Sequence, residues 1–73
     1  MTLDQLKPNQ KAKIIKIDED QVPLKLIEMG CMEQQLIQFI NAAPLGDPLC
    51  FDIDGTRVAI RKETAKHINI ILN

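Results

Sequence analysis

A small, mainly β domain, a partly open barrel with one short α-helix, is the fold class this sequence predicts, and three observations predict it. The pair Asp54-Gly55 supplies the two positive-φ residues that a two-residue type I′ hairpin needs, with alternating apolar residues on either side. Ile-rich segments recur along the chain, and β-branched side chains suit a pleated surface better than a helix. Turn residues (Pro8-Asn9, Gly30, Pro44 to Pro48) cut the 73 residues into pieces too short for anything but brief strands and single helical turns.

The stretch from Ala43 to Ile60 organises the rest. Counting outward from Asp54-Gly55 sets Ile53 against Thr56, Asp52 against Arg57, Phe51 against Val58, Cys50 against Ala59 and Leu49 against Ile60. Leu49, Phe51, Ile53, Val58 and Ile60 then share the core side, while Asp52 and Arg57 form an opposite-charge pair on the wet side. Before this hairpin, Ala42 to Pro48 makes a long turn in which Gly46-Asp47 takes positive φ.

The other elements follow in chain order. Thr2-Leu3-Asp4-Gln5 fits a capping box and predicts one helical turn, with Leu3 and Leu6 sealing an end of the core. Lys7-Pro8-Asn9-Gln10 fits a type II turn, Asn9 taking the left-handed position. A first strand spans Lys11 to Ile17. Ala12 and Ile14 share a face with Ile17 only if a bulge near Ile15 or Lys16 resets the phase. After the acidic linker Asp18 to Gln21, Pro23 fits a first helical turn, Leu24 to Met29 form the helix and Gly30 closes it. Gln34 to Asn41 reads as a second strand with both faces apolar, Leu36 and Ile40 opposing Ile37 and Phe39. Lys62 to Lys66 suits one helical turn. His67 to Leu72 is the closing strand, with Ile68, Ile70 and Leu72 inward. Short strands, one helix and mixed turns in this length point to a single domain over residues 1–73, an SH3-like barrel.

Composition narrows the function. A net charge of −1 and the absence of Trp and Tyr remove both the long-range attraction and the stacking surfaces that nucleic acids require. No secretory or membrane-spanning apolar run is present, so a cytosolic chain without direct membrane insertion is expected, its two cysteines free thiols. No nucleophile, base and orienting group are visible together, and no Gly-rich phosphate loop, so an enzyme is not expected. Metal donors are sparse. Met29, Cys31 and Met32 form a soft cluster at the helix end, Cys50, Asp52 and Asp54 line the outer hairpin face, and His67 is the sole imidazole. None has the repeated short spacing of a closed site. Cys31, Cys50 and His67 stand as candidates for Fe2+ or another divalent transition metal, against the plainer reading that they pack or face water, and no cofactor is assigned.

The residues also carry a resemblance. Leu3 to Gln10 (LDQLKPNQ), Leu26 to Gly30 (LIEMG), Ala43 to Pro48 (APLGDP), Gly55, Val58 to Arg61 (VAIR) and Ile68, in this order and spacing, resemble the ferrous iron transport protein A family, FeoA, nearly end to end. The resemblance implies an SH3-like fold, similar to the C-terminal domain of iron-dependent repressors, and a cytosolic partner of the membrane ferrous iron transporter FeoB. Four positions depart from the family: Asn9 stands where Gly is usual, Glu33-Gln34 where Pro-Gly often follows the helix, and Cys31 where an aliphatic residue is typical.

An apolar docking surface is the functional candidate. Leu24, Leu26, Ile27 and Met29 cannot all point inward from two helical turns, and the Leu45-Gly46-Asp47 turn together with Ile37 or Phe39 adds to the surplus. Core packing accounts for at least half of these side chains on the plainer reading. Two functions remain in view: an interaction module for the transporter's cytosolic domain, and a metal-sensing regulatory domain using Cys31, Cys50 or His67. Self-association is compatible with either.

Overall fold

The computed structural model describes all 73 residues. After a 3-10 turn over Leu3–Gln5 come β1 (Lys11–Ile17), α1 (Leu24–Glu28), β2 (Leu36–Ala42), β3 (Leu49–Ile53), β4 (Thr56–Ile60), α2 (Lys62–Ala65) and β5 (Ile68–Leu72). The five strands form one antiparallel sheet in the order β4-β3-β2-β1-β5, curled around a single core into the expected SH3-like barrel. No helix is long and apolar enough to cross a membrane.

Local chemistry explains each element. Asp54 (φ 49°) and Gly55 (φ 85°) make the hairpin turn, and the β3–β4 register is the one the sequence sets, from Ile53 opposite Thr56 to Leu49 opposite Ile60. Asn9 (φ 68°) takes the left-handed corner of its turn, closed by the Gln10 amide donating to the Lys7 carbonyl at 3.0 Å. At the opening turn the Gln5 side chain reaches back to accept from the Thr2 amide at 2.9 Å. The β1 bulge falls between Ile14 and Lys16, so Ile14 and Ile17 both face the core. Without it, Ile17 would point into water.

The core is aliphatic apart from one aromatic pair. Phe39 and Phe51 face each other across β2 and β3 with ring centroids 5.3 Å apart and planes tilted by 40°. Such a pair contributes about 0.5–1.5 kcal/mol beyond its buried area. Leu3 and Leu6 close one end, both buried. The β5 edge is covered by the start of the chain: Thr2 bridges Asn69, and the Ile70 amide donates to the Met1 carbonyl at 2.8 Å.

Five details differ from the sequence reading. The second strand begins at Leu36, because Gln34 adopts φ 75°, and runs on to Ala42 through a second bulge between Phe39 and Asn41. Ile37 and Phe39 are both buried, so neither adds to an exposed surface. Leu72 is half-exposed at the last residue of β5, where the sheet outruns the core. The helix ends at Glu28 with Pro23 as its N-terminal cap, and Met29 is the C-terminal cap. Finally, the Lys62–Ala65 turn is a second α-helix, in place of a single one in the fold.

Candidate docking surface

The helix α1 is short, and its C-terminus is what fixes it. Gly30 (φ 105°) lets the chain reverse, its amide donating to the Ile27 carbonyl at 3.1 Å and the Cys31 amide to the Leu26 carbonyl at 3.0 Å. These are the paired bonds of a Schellman motif, which stops a helix and satisfies its last carbonyls. Gly30 also sits close to the core, since a side-chain carbon there would lie 3.5 Å from Ile53. At the other end Val22 is buried and its amide donates to the Asp18 carbonyl at 2.9 Å.

Held at both ends, α1 divides its apolar side chains as a one-sided contact requires. Leu26 and Ile27 are half-buried and pack on the core, whereas Leu24 is 68% exposed and Met29 36%. Beside them Ile17, Ile27 and Met32 line a shallow groove of about 300 Å³, rimmed by Glu19 and Glu33. Met32 and these two carboxylates were not assigned to the docking surface from sequence. No periodicity reveals them, because they come from the ends of two connections that only the fold brings together.

The second half of the predicted surface is anchored differently. Leu45 is 97% exposed at the tip of its turn, Gly46 takes φ 89°, and Asp47 Oδ1 accepts from the Lys62 amide at 2.9 Å. Asp47 is therefore tied to the start of α2, in contrast to α1, which is fastened to the core beside Ile53. Asp47 does not take positive φ.

The metal candidates are scattered. Cys31 is fully buried and burial pushes its thiol up to about 11, which disfavours the thiolate that binds a metal. Cys50 lies partly exposed between Asn41 and Ala59 on neighbouring strands. His67 is half-buried just after α2, its carbonyl accepting from the Asp18 amide at 3.1 Å. No three His, Cys, Asp or Glu side chains come together in a group that could hold an ion. Asp52 faces Arg57 in register, but the expected ion pair does not form, and Asp52 Oδ1 is buried without a hydrogen-bond partner.

Comparison with known proteins bears directly on identity. The family model for the FeoA domain matches residues 1–72. The chain belongs to the FeoA domain family. Iron(II) transport protein A of Clostridium thermocellum, a solution structure, is 30% identical with a TM-score of 0.86; the match covers 99% of this chain and 45% of that one. The chain thus spans less than half the length of that relative. Stenotrophomonas maltophilia FeoA, complexed with zinc and described as a prokaryotic SH3 domain protein and candidate ferrous iron transport activating factor, is 25% identical with a TM-score of 0.82, covering 97% of this chain and 89% of that one. IdeR of T. acidophilum is 20% identical with a TM-score of 0.84 over 100% of this chain and 34% of that one, a likeness of fold alone. No curated protein matches the sequence. The FeoA-family fold is as the sequence implies, and the likeness to IdeR is one of fold.

Proposed function

We propose that this FeoA-domain chain is a non-enzymatic accessory of ferrous iron uptake, which docks in the cytosol on the membrane ferrous iron transporter, FeoB, through α1. The observation that carries the reading is the division of α1: Leu26 and Ile27 anchor it to the core while Leu24 and Met29 stay in water beside the Ile17–Ile27–Met32 groove. A short helix fixed at both ends gains no stability from exposed Leu and Met, and exposed apolar clusters of this kind mark contact sites. The Leu45-Gly46-Asp47 turn, with its fully projecting Leu45, supplies a second contact.

The zinc complex of the Stenotrophomonas relative favours a second reading, metal sensing. In this chain the buried neutral Cys31 speaks against it and leaves Cys50 and His67 as donors. A pull-down of the transporter's cytosolic domain with and without ferrous iron separates the two. Capture in both conditions supports docking. Capture only with iron, together with saturable iron binding by the isolated chain, supports sensing.

A further inference from the structure

The outer face of the sheet carries a second set of exposed aliphatic side chains, none of them part of α1. The strand registers place Ile71 of β5, Lys13 of β1 and Leu36 of β2 in a single row. Ile71 is 55% exposed and Leu36 50%, while Lys13 between them is partly buried. A lysine sits this way when its methylene stem covers apolar neighbours and its ammonium stays in water. The β1 bulge enlarges the set, since it turns both Ile15 and Lys16 outward. Lys11 lies one row further along, opposite Gln38.

Charge on this face is one-sided. β1, β2 and β5 contain no Asp or Glu, so Lys11, Lys13 and Lys16 have no opposing charge on their own or adjoining strands of the β2–β1–β5 half. Acids border it on two sides: Asp18, Glu19 and Asp20 beyond Lys16, and Asp52 and Asp54 beside Lys11 and Leu36. The positive centre is therefore Lys13, flanked by Leu36 and Ile71, and no cavity opens at Lys13 or Ile71.

We infer that this face adsorbs to an anionic lipid surface. Aliphatic side chains interleaved with lysines, on a face whose Lys13 and Ile71 centre opens into no cavity, match a layer of negative headgroups over acyl chains. Lysine attraction to such a layer is short-ranged and screened by salt, so the contact is weak and reversible. It requires no insertion of the backbone. It shares no residue with the α1 surface, so either assignment stands if the other fails.

Co-sedimentation with large vesicles tests it, using phosphatidylglycerol mixed with phosphatidylcholine in one arm and phosphatidylcholine alone in the other. The chain is expected to sediment with the anionic vesicles only, and to be released at about 0.5 M salt, where the screening length falls to a few ångströms. Lys13→Glu should lower the partition coefficient roughly tenfold or more, because it reverses a charge at the centre of the face. Leu36→Gln and, independently, Ile71→Gln should each weaken binding with the melting temperature unchanged. Lys62→Glu on α2 should leave binding as it is. Equal sedimentation with both vesicle types, none with either, or equal losses in the Lys13 and Lys62 variants overturns the assignment. An acidic protein partner for this face would give the second of those results.

Discussion

Asp52 and Arg57 stand directly opposite each other on β3 and β4, yet no ion pair joins them, and Asp52 Oδ1 is buried without a partner. The reason lies along the sheet: Lys11, Gln38, Asp52 and Arg57 form one row across four strands. Gln38 spends its amide on the Asn9 carbonyl, donating at 3.2 Å, and Arg57 is free to extend into water. A buried oxygen left unsatisfied costs about 1–3 kcal/mol. Asp52→Thr, which removes the carboxylate and favours a strand, should therefore raise stability by about 1 kcal/mol, or about 4–8 °C in melting midpoint for a domain of this size. A lower midpoint would mean that the carboxylate holds Arg57 through solvent.

Gly55→Val should destabilise by about 1 kcal/mol or more, since φ is 85° there and a β-branched residue is strained in that region. An added Cβ would meet nothing within 4 Å, so the loss reports backbone conformation alone. An unchanged midpoint in thermal unfolding would refute the turn geometry.

Gln34 holds φ 75° and Asn9 φ 68°, both at positions where the family resemblance leads one to expect glycine. Non-glycine residues lose roughly 1–2 kcal/mol in the left-handed region, but Asn offsets part of this with its short polar side chain. Gln34→Gly should accordingly gain up to about 1 kcal/mol once the greater freedom of the unfolded glycine is subtracted. Asn9→Gly should gain less. Chemical denaturation of the two variants tests the ordering, and a larger gain at Asn9 would reverse the explanation.

Cys31 supplies a pH dependence. Burial disfavours the thiolate and pushes its thiol up to about 11 when folded, from the 9.0 of an exposed cysteine. Between those values the unfolded chain has lost the proton and the folded chain keeps it, so stability falls as pH rises, by about 1.4 kcal/mol for each unit of the shift. Cys31→Val should flatten the stability profile across that window. At neutral pH a thiol reagent should modify Cys50 rapidly and Cys31 only on unfolding. Equal rates for the two would show that Cys31 is accessible.

The hairpin, the β1 bulge and the glycine that stops α1 are legible in the sequence because local rules decide them: a two-residue turn, a period of two, a glycine after a helix. The limits of β2 are not, since nothing local forces Gln34 out of a strand; the turn that links α1 to β2 does. The missing Asp52–Arg57 ion pair illustrates the same limit, because register sets which residues face each other and not which way a long side chain turns. The candidate site is half legible. An excess of apolar residues on α1 shows in the sequence, while the division into buried Leu26 and Ile27 and exposed Leu24 and Met29 depends on how the Gly30 turn seats the helix against Ile53.

That division also decides the choice of test for docking on the transporter. Leu26 packs on the core, so Leu24 and Met29 are the exposed residues we propose as anchors. Truncating a well-packed apolar anchor at an interface costs upwards of about 2 kcal/mol, and about 1.4 kcal/mol is already a factor of ten in affinity. The decisive measurement is a calorimetric titration of the transporter's cytosolic domain with the wild-type chain and with the Leu24→Gln, Met29→Gln double variant. The account predicts an unchanged melting temperature and at least tenfold weaker binding for the variant. A folded variant that binds as tightly as wild type contradicts it.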